Sequence, residues 1–256
     1  MTKNIQFDKK GHIASIILNR PEKLNAMNRK MTGELKEFAL ECNNNDDVRV
    51  VILSAEGERA FCVGSDINDL DTFATPWEWR THFGYAECIR SIIKPTIAAI
   101  NGWALGGGLE MALGCDVRIA STSAKFGAPE IKLGWIGGGG MTVLLAEAIG
   151  SSNAAMMLLT GDPIDSEQAL QWGLITEVLP VESLRNRAMD LASLISTRAP
   201  IAAECAKSNL KAAFSMSRED AINYERDLQV ICFATEDANE GRNAFKVKRV
   251  PNFKKV

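Results

Sequence analysis

The chain has 256 residues, of which 46% are hydrophobic and 24% are charged, and its formal net charge is −3. This composition is typical of a globular protein with one large domain, or one domain with a small appendage. The slight negative charge argues against nucleic acid as the main partner. No run approaches 18 apolar residues, so we expect no membrane span and no membrane partner.

The six cysteines are scattered without a Cys-x-x-Cys pair, and the chain has only two histidines. A Cys/His zinc site and a Ser-His-Asp triad are therefore not expected, and we predict no metal. Scattered thiols are typical of proteins in a reducing compartment. Together with an N-terminus that lacks an apolar signal core, they predict a cytoplasmic protein.

The first half of the chain alternates strand-like and helical patterns, which predicts an α/β architecture. The predicted strands are residues 13–18, 48–54, 60–63, 96–100 and 117–120, and the predicted helices are residues 31–42, 77–93 and 109–113. From residue 141 onward the periodicity is mostly helical, with one predicted strand at residues 174–179. The predicted helices are residues 141–149, 152–159, 166–172, 181–196, 201–213, 218–233 and 235–249.

This distribution suggests an α/β core at residues 1–199 and a helical C-terminal region at residues 200–256. The C-terminal helices carry more apolar side chains than a thin appendage can bury on itself. We therefore expect this region to take part in oligomerisation.

Three consecutive glycines precede a glutamate at a predicted strand-to-helix junction, in Gly106-Gly107-Gly108-Leu109-Glu110. Glycine lets the backbone approach a ligand closely, and unpaired amides in the first turn of a helix favour negative charge. The motif points to a site where an oxygen becomes anionic while Glu110 moves a proton or a water molecule. A purely structural interpretation also stands, because a glutamate in a first helical turn often serves as a capping group.

A second candidate acid, Glu130, follows Pro129, whose fixed φ helps to hold it in place. The alternative is that Glu130 is an ordinary residue of a first helical turn. The four glycines at residues 137–140 lack the Lys-Ser/Thr ending of a phosphate-binding loop, and we interpret them as a turn that leads into a helix.

Several motifs occur together in one order along the chain. They are Leu18-Asn19-Arg20-Pro21-Glu22-Lys23-Leu24-Asn25-Ala26, Phe61-Cys62-Val63-Gly64-Ser65-Asp66-Ile67, Asn101-Gly102-Trp103-Ala104-Leu105-Gly106-Gly107-Gly108-Leu109-Glu110, Cys115-Asp116, Phe126-Gly127-Ala128-Pro129-Glu130 and Thr235-Glu236-Asp237-Ala238-Asn239-Glu240-Gly241-Arg242-Asn243-Ala244-Phe245. With these motifs the chain resembles the crotonase (enoyl-CoA hydratase/isomerase) family over essentially its whole length.

The resemblance implies a spiral of stacked ββα units whose C-terminal helices assemble a homotrimer or a homohexamer. It implies an acyl-CoA thioester substrate, with CoA as part of the substrate and no separate cofactor. The thioester oxygen is expected on the backbone amides of Ser65 and Gly107, and the catalytic acids are expected to be Glu110 and Glu130.

The resemblance also implies positions that bind CoA. These are the backbone at Asp66 and Ile67 near the adenine, Lys23 and Leu24 near the phosphates or pantetheine, and Phe245 and Lys248 reaching the CoA of a neighbouring subunit. Departures from the usual pattern at Ser65, Trp135 and Gly137 leave the natural acyl group open. Five aromatic residues either form an acyl pocket or pack in the core and interfaces: Trp77, Trp79, Phe83, Trp103 and Trp135.

Two carboxylates favour hydration of a 2-enoyl-CoA, or dehydration of a 3-hydroxyacyl-CoA, through an enolate-like thioester. The second enzymatic hypothesis is a Δ3,Δ2-enoyl-CoA isomerase, in which one carboxylate shuttles a proton and the other is dispensable. The non-enzymatic alternative is a scaffold that binds acyl-CoA or RNA.

Overall fold

The computed structural model describes residues 4–70 and 72–256. The strands are β1 Ile5–Lys10, β2 Ile13–Leu18, β3 Val50–Ala55, β4 Ala60–Cys62, β5 Thr96–Ile100, β6 Trp103–Leu105, β7 Val117–Ser121, β8 Lys125–Gly127, β9 Ile164–Asp165 and β10 Glu177–Leu179. The α-helices are α1 Arg29–Asn44, α2 Ile67–Leu70, α3 Pro76–Thr81, α4 Tyr85–Arg90, α5 Gly107–Leu113, α6 Met141–Ile149, α7 Ser151–Thr160, α8 Ser166–Trp172, α9 Val181–Ser196, α10 Pro200–Ser215, α11 Arg218–Phe233 and α12 Glu236–Lys246. Two 3-10 helices lie at Pro21–Lys23 and Pro129–Leu133.

These strands form two sheets. The larger has the order β1-β2-β3-β5-β7-β10 and the smaller has the order β4-β6-β8-β9. The pairs β3–β4, β5–β6 and β7–β8 each place one strand in each sheet, and helical segments follow each pair. The repeating unit is therefore ββα, and parallel pairing between successive units stacks them into a spiral. The predicted α/β fold of stacked ββα units is confirmed.

The central strands β3 and β5 of the larger sheet are buried on both faces, and they are therefore apolar almost throughout. In β3 every residue is buried, and alternate side chains enter different clusters. Leu53 packs in the main core with α1, α4 and α5, whereas Ile52 packs against α9. The α9 side of that contact consists of Leu184, Ala188 and Ala192, which lie one helical turn apart.

Most elements predicted from periodicity are present, and the helix predicted at residues 77–93 is the main error. The structure has two helices there, α3 and α4, because the backbone is extended at His82 and Gly84. Glu87 accepts a hydrogen bond from the Gly84 amide at 2.6 Å and so starts α4 as a separate helix. The strand predicted at residues 174–179 is limited to β10. Four strands were not predicted: β1, β6, β8 and β9.

The C-terminal helices are tied to the core by buried lysines. Lys94, which is fully buried, donates to Glu204 of α10 at 2.9 Å. Lys207 of α10 donates to the Lys94 carbonyl at 2.8 Å and pairs with Asp116 at 2.8 Å. The division into residues 1–199 and 200–256 stays a prediction, with α10 beginning at that boundary. Among the helices of the described residues, none has the length and apolar character needed to cross a membrane.

Truncation of Leu53 tests the core directly. Leu53→Ala should lower the free energy of unfolding by about 2–5 kcal/mol, because it removes buried methyl groups and leaves a cavity. The matched control is Leu40→Ala, since Leu40 is 51% exposed on α1; we expect a change within about 0.5 kcal/mol. Urea unfolding of both variants measures the difference. Equal effects of the two substitutions would contradict the assignment of Leu53 to the core.

Candidate active site

Two unpaired backbone amides meet where β4 ends and α5 begins. The loop after β4 is held by a parallel bridge, in which the Met27 amide donates to the Gly64 carbonyl and the Asp66 amide donates to the Met27 carbonyl. The Ser65 amide between them has no acceptor among the described residues, nor has the Gly107 amide in the first turn of α5. Both N–H groups are therefore available to an acceptor on a ligand.

Close approach of these two segments requires glycine. A Cβ on Gly64, whose φ is +97°, would lie 3.2 Å from the Gly107 nitrogen. A Cβ on Gly108 would overlap the Cys62 carbonyl oxygen, and one on Gly107 would overlap the Tyr85 hydroxyl. The glycine run thus serves to bring α5 against the end of β4, as its position in the sequence suggests.

Glu110 lies in the first turn of α5 with its side chain directed at the loop before α6. It is 5% exposed, and its Oε1 accepts hydrogen bonds from the amides of Gly139 at 2.7 Å and Met141 at 3.2 Å. Burial raises the pKa of this carboxyl, while the two amides and the charge of Arg90 act in the opposite direction. Glu110 is therefore a fixed, buried acid, and the capping interpretation does not describe it.

Glu130 lies in the 3-10 helix Pro129–Leu133 and faces the same space. Its Oε1 is close to Gly106, where a Cβ would lie 2.9 Å from it. Its Oε2 is buried and has no hydrogen-bond partner within the described part of the chain. Burial, with a contribution from the negative charge of Glu110, raises the pKa of Glu130. A buried carboxyl oxygen without a partner is available to a ligand or a water molecule.

A cavity of about 340 Å³ opens beside Ser65 and Tyr85. One wall is aromatic: the Phe73 ring lies 4.4 Å from the Trp79 ring and 4.9 Å from the His82 ring, centroid to centroid. Of the five aromatic residues considered from the sequence, Trp79 and Phe83 line this cavity, whereas Trp77, Trp103 and Trp135 are not among its lining residues.

Four of the residues expected to bind CoA lie along the two segments that lead to Ser65. Asp66 is held by Arg20 at 2.8 Å, and this hydrogen bond lowers the pKa of its carboxyl. Ile67 is 65% exposed at the start of α2. Lys23 is exposed at the end of the 3-10 helix Pro21–Lys23, and Leu24 follows in the left-handed region with φ +53°. Lys23 and Ile67 are therefore exposed to solvent, whereas the Asp66 side chain is only 12% exposed.

The remaining two residues, Phe245 and Lys248, lie elsewhere. Phe245 is 85% exposed on α12, and Lys248 is exposed just beyond that helix. α12 packs against α11 and the C-terminal segment, as in the pairing of Arg249 with Glu240 at 2.5 Å. Neither Phe245 nor Lys248 is among the residues that line the cavity beside Ser65.

Three contributors to the site were not identified from the sequence. The glycine turn at residues 137–140 orients Glu110 through the Gly139 amide, and Arg90 donates to the Gly139 carbonyl. Tyr85 places its hydroxyl 2.8 Å from the Ser65 hydroxyl. The glycine turn was visible in the sequence, but nothing local connects it to a carboxylate 29 residues earlier.

Two unpaired amides and two acids lie around the start of α5, although Gly107, Glu110 and Glu130 are not among the residues that line the cavity beside Ser65. The amides can stabilise negative charge on an oxygen, and the two carboxyls differ in their surroundings. Glu110 receives hydrogen bonds that favour its charged form, whereas Glu130 has an unpartnered oxygen and a charged neighbour. The charged form of Glu110 is therefore stabilised by hydrogen bonds that the Oε2 of Glu130 lacks. No group of three or more His, Cys, Asp or Glu side chains among the described residues is arranged to hold a metal ion.

Comparisons with known proteins agree with one another. The family model described as enoyl-CoA hydratase/isomerase matches residues 8–256. A probable enoyl-CoA hydratase of Mycobacterium tuberculosis is 40% identical over 245 residues, which cover 94% of each chain. A short-chain-enoyl-CoA hydratase of Clostridium acetobutylicum is 36% identical, with coverage of 96% of this chain and 95% of the relative. The crystal structure of an enoyl-CoA hydratase from Bacillus anthracis superposes with a TM-score of 0.92 and 34% identity, over 99% of this chain and 100% of the other.

The raised pKa of Glu130 has a consequence for stability. Ionisation of a carboxyl whose pKa is raised by folding destabilises the folded state, so this cost is absent below the ordinary glutamate pKa of about 4.3 and grows as the pH rises. Glu130→Gln should therefore raise Tm at pH 7, by roughly a few degrees, and this gain should vanish near pH 4. Thermal unfolding at both pH values measures it, with Glu58→Gln on the exposed loop as the control. If Glu130→Gln raises Tm equally at both pH values, the raised pKa of Glu130 is contradicted.

Proposed function

The chain belongs to the enoyl-CoA hydratase/isomerase family, and we propose that it adds water to 2-enoyl-CoA thioesters or dehydrates 3-hydroxyacyl-CoA in the reverse direction. The observation that carries the proposal is the occurrence together of two carboxyls, the buried Glu110 and the half-buried Glu130 with its buried Oε2, and two unpaired amides, those of Ser65 and Gly107.

The proposed reaction follows from the charge that it creates. Water attacks C3 of the enoyl group, a C–O bond forms, and the electrons of the C2–C3 double bond move onto the thioester oxygen. Two fixed N–H donors, on Ser65 and Gly107, stabilise this oxygen, and loss of one such donor typically costs about 2.7–4 kcal/mol of transition-state stabilisation. No electron is gained or lost overall, so the reaction needs no redox cofactor. We propose that the two amides supply the charge stabilisation that a metal would otherwise provide, and that CoA is part of the substrate.

The two acids receive different roles. Glu110, whose Oε1 is held by two amides, acts as the carboxylate that orients the water and accepts its proton. Glu130, whose charged form is disfavoured by burial and by its neighbour, carries the proton that is delivered to C2. One turnover leaves Glu110 protonated and Glu130 ionised, and transfer of this proton from Glu110 to Glu130 restores both groups for the next cycle. Retention of both acids supports a hydratase over a Δ3,Δ2-isomerase, which needs one carboxylate.

We propose that CoA extends from the amides along Leu24, Asp66 and Ile67, with Lys23 near its phosphates. The exposed Ile67 side chain and the left-handed backbone at Leu24 support this path. The charged residue Lys23 supplies a cation at the surface, where a phosphate is expected to remain hydrated.

We also propose a homotrimer or homohexamer in which Phe245 and Lys248 complete the CoA site of a neighbour. Phe214, Phe233 and Phe245 are 62%, 59% and 85% exposed on the three C-terminal helices, which is unusual for large aromatic side chains unless a partner covers them. The threefold symmetry comes from the family resemblance. All six cysteines are free thiols, and this supports a cytoplasmic location.

Substitution of each acid tests the reaction. Glu110→Gln and Glu130→Gln should each lower kcat by about 10²–10⁴-fold, because each removes a positioned acid or base. The measurement is the loss of the enoyl-thioester absorbance of crotonyl-CoA. The control Glu58→Gln changes an exposed glutamate and should leave the rate unchanged. Near-wild-type rates in both site variants would contradict the assignment, and a wild-type enzyme active only on 3-enoyl-CoA would indicate an isomerase.

Substitution of Phe245 tests the assembly. Light scattering at micromolar concentration should give a mass near three or six chains. Phe245→Ala should raise KM for crotonyl-CoA about tenfold with little change in kcat, because it removes a remote contact with CoA. Leu40→Ala, at a 51% exposed position on α1, is the control and should change neither constant. A monomer with full activity would refute the proposed assembly.

A further inference from the structure

The hydroxyl of Tyr85 contacts both residues that carry the proposed oxyanion-binding amides. Its oxygen lies 2.8 Å from the Ser65 Oγ. It also occupies the position that a Cβ of Gly107 would take. Tyr85 is the first residue of α4, where the bond from the Gly84 amide to Glu87 fixes the start of the helix. Its location therefore depends on the break between α3 and α4.

The hydroxyl groups of Ser65 and Tyr85 carry one proton that their mutual hydrogen bond does not use. Two hydroxyl groups carry two protons, and the bond between them uses one. Neither hydroxyl has a second hydrogen bond to any of the described residues. The second proton has no acceptor among the described residues, and both Ser65 and Tyr85 line the cavity, so a ligand there can accept it. A buried hydrogen-bond donor is normally paired with an acceptor on the protein, a ligand or an ordered water molecule.

Tyr85 is the better of the two donors. A phenol is more acidic than an aliphatic hydroxyl, so it forms the stronger hydrogen bond to an oxygen that carries negative charge. Burial, with further contributions from nearby acidic groups that include Glu110 and Glu130, raises the pKa of the Tyr85 hydroxyl. The phenol therefore keeps its proton throughout the physiological pH range and remains a donor.

We propose that Tyr85 donates a third hydrogen bond to the thioester oxygen, while the Ser65 hydroxyl donates to Tyr85 and holds it in place. This inference rests on the proposed function, because it places the thioester oxygen on the amides of Ser65 and Gly107. It adds to the proposed function a side-chain donor whose hydrogen bond strengthens as the thioester oxygen becomes anionic. A hydrogen bond to a charged group accounts for an effect of about 10- to 100-fold on the rate.

The first test compares two tyrosine variants. Tyr85→Phe should lower kcat for crotonyl-CoA by about 10- to 100-fold, with KM changed by less than about threefold, because the bond strengthens in the transition state. The chain offers a matched control in its only other tyrosine, Tyr224, whose hydroxyl is 2.9 Å from the Ser208 hydroxyl between α10 and α11. Tyr224→Phe removes the same kind of pair and should leave kcat unchanged. Equal kcat values for Tyr85→Phe and wild type would overturn the proposal.

A second test separates donation from a structural role. The 3-oxobutyryl-CoA thioester ionises at C2 to an enolate that absorbs in the near ultraviolet, so its apparent pKa can be titrated while it is bound. Removal of one donor should raise that apparent pKa by about 1 to 2 units in Tyr85→Phe, since a tenfold weaker stabilisation equals one unit. A variant with low kcat but an unchanged enolate pKa would overturn the proposal and identify Tyr85 as a packing residue.

The role of Ser65 is tested by combining Ser65→Ala with Tyr85→Phe in a double variant. Ser65→Ala should lower kcat less than Tyr85→Phe does, and the double variant should be no slower than Tyr85→Phe, because Ser65 acts through Tyr85. Additive losses would overturn the assigned direction of the hydrogen bond. The enolate titration needs no turnover, so it tests Tyr85 independently of the proposed function. A wild-type protein that binds 3-oxobutyryl-CoA without hydrating crotonyl-CoA would refute the proposed function, and the enolate pKa of Tyr85→Phe would still show whether Tyr85 donates a hydrogen bond.

Discussion

The contact between the end of β4 and the first turn of α5 is the constraint on which the site depends. Backbone meets backbone there, because Gly64 and Gly108 leave no Cβ between the two segments. The contact turns two amides, those of Ser65 and Gly107, toward the same space and leaves both without acceptors in the described chain. A side chain at either glycine would separate the segments and so separate the donors.

The ββα repeat explains why this contact can be made rigid. Each repeat places one strand in the larger sheet and one in the smaller, so the loops between strands and helices recur at one edge of the stack. The first repeat supplies Ser65, the second supplies Gly107 and Glu110, and the third supplies Glu130. Three successive repeats thus contribute to the candidate site, and the parallel pairing of their strands fixes the spacing between the contributions. Precise positioning of reacting groups follows from the scaffold and does not require long side chains.

Burial of two acids has an energetic cost that the structure only partly offsets. The Gly139 and Met141 amides stabilise Glu110, whereas Glu130 keeps an oxygen without a partner among the described residues. The pKa values of both carboxyls are raised, mainly by burial. In a hydratase, the same features that lower stability at neutral pH provide one proton donor and one proton acceptor. The surrounding core, with β3 buried throughout, is large enough to carry that cost.

The amino-acid sequence by itself determined the long elements and the chemistry of the motif. Apolar runs and helical periodicity predicted β2, β5, α6, α8, α9 and α11 with their observed bounds, because a pattern sustained over such lengths outweighs local exceptions. Glycines before a glutamate indicated free amides beside an acid, since that inference needs only local stereochemistry. The motifs also carried the family resemblance.

Tertiary structure decided what depends on contacts between distant segments. The strands β6, β8 and β9 have two or three residues each, too few for a pattern, and they exist because they pair with one another and with β4. The break at His82 and Gly84 places Tyr85 against Ser65 and Gly107, although local periodicity favoured one continuous helix. The turn at residues 137–140 contacts Glu110 only because the stacked repeats bring these distant segments together. Such contacts are not encoded in any short window, because side chains far apart in the chain must first be brought together by the core.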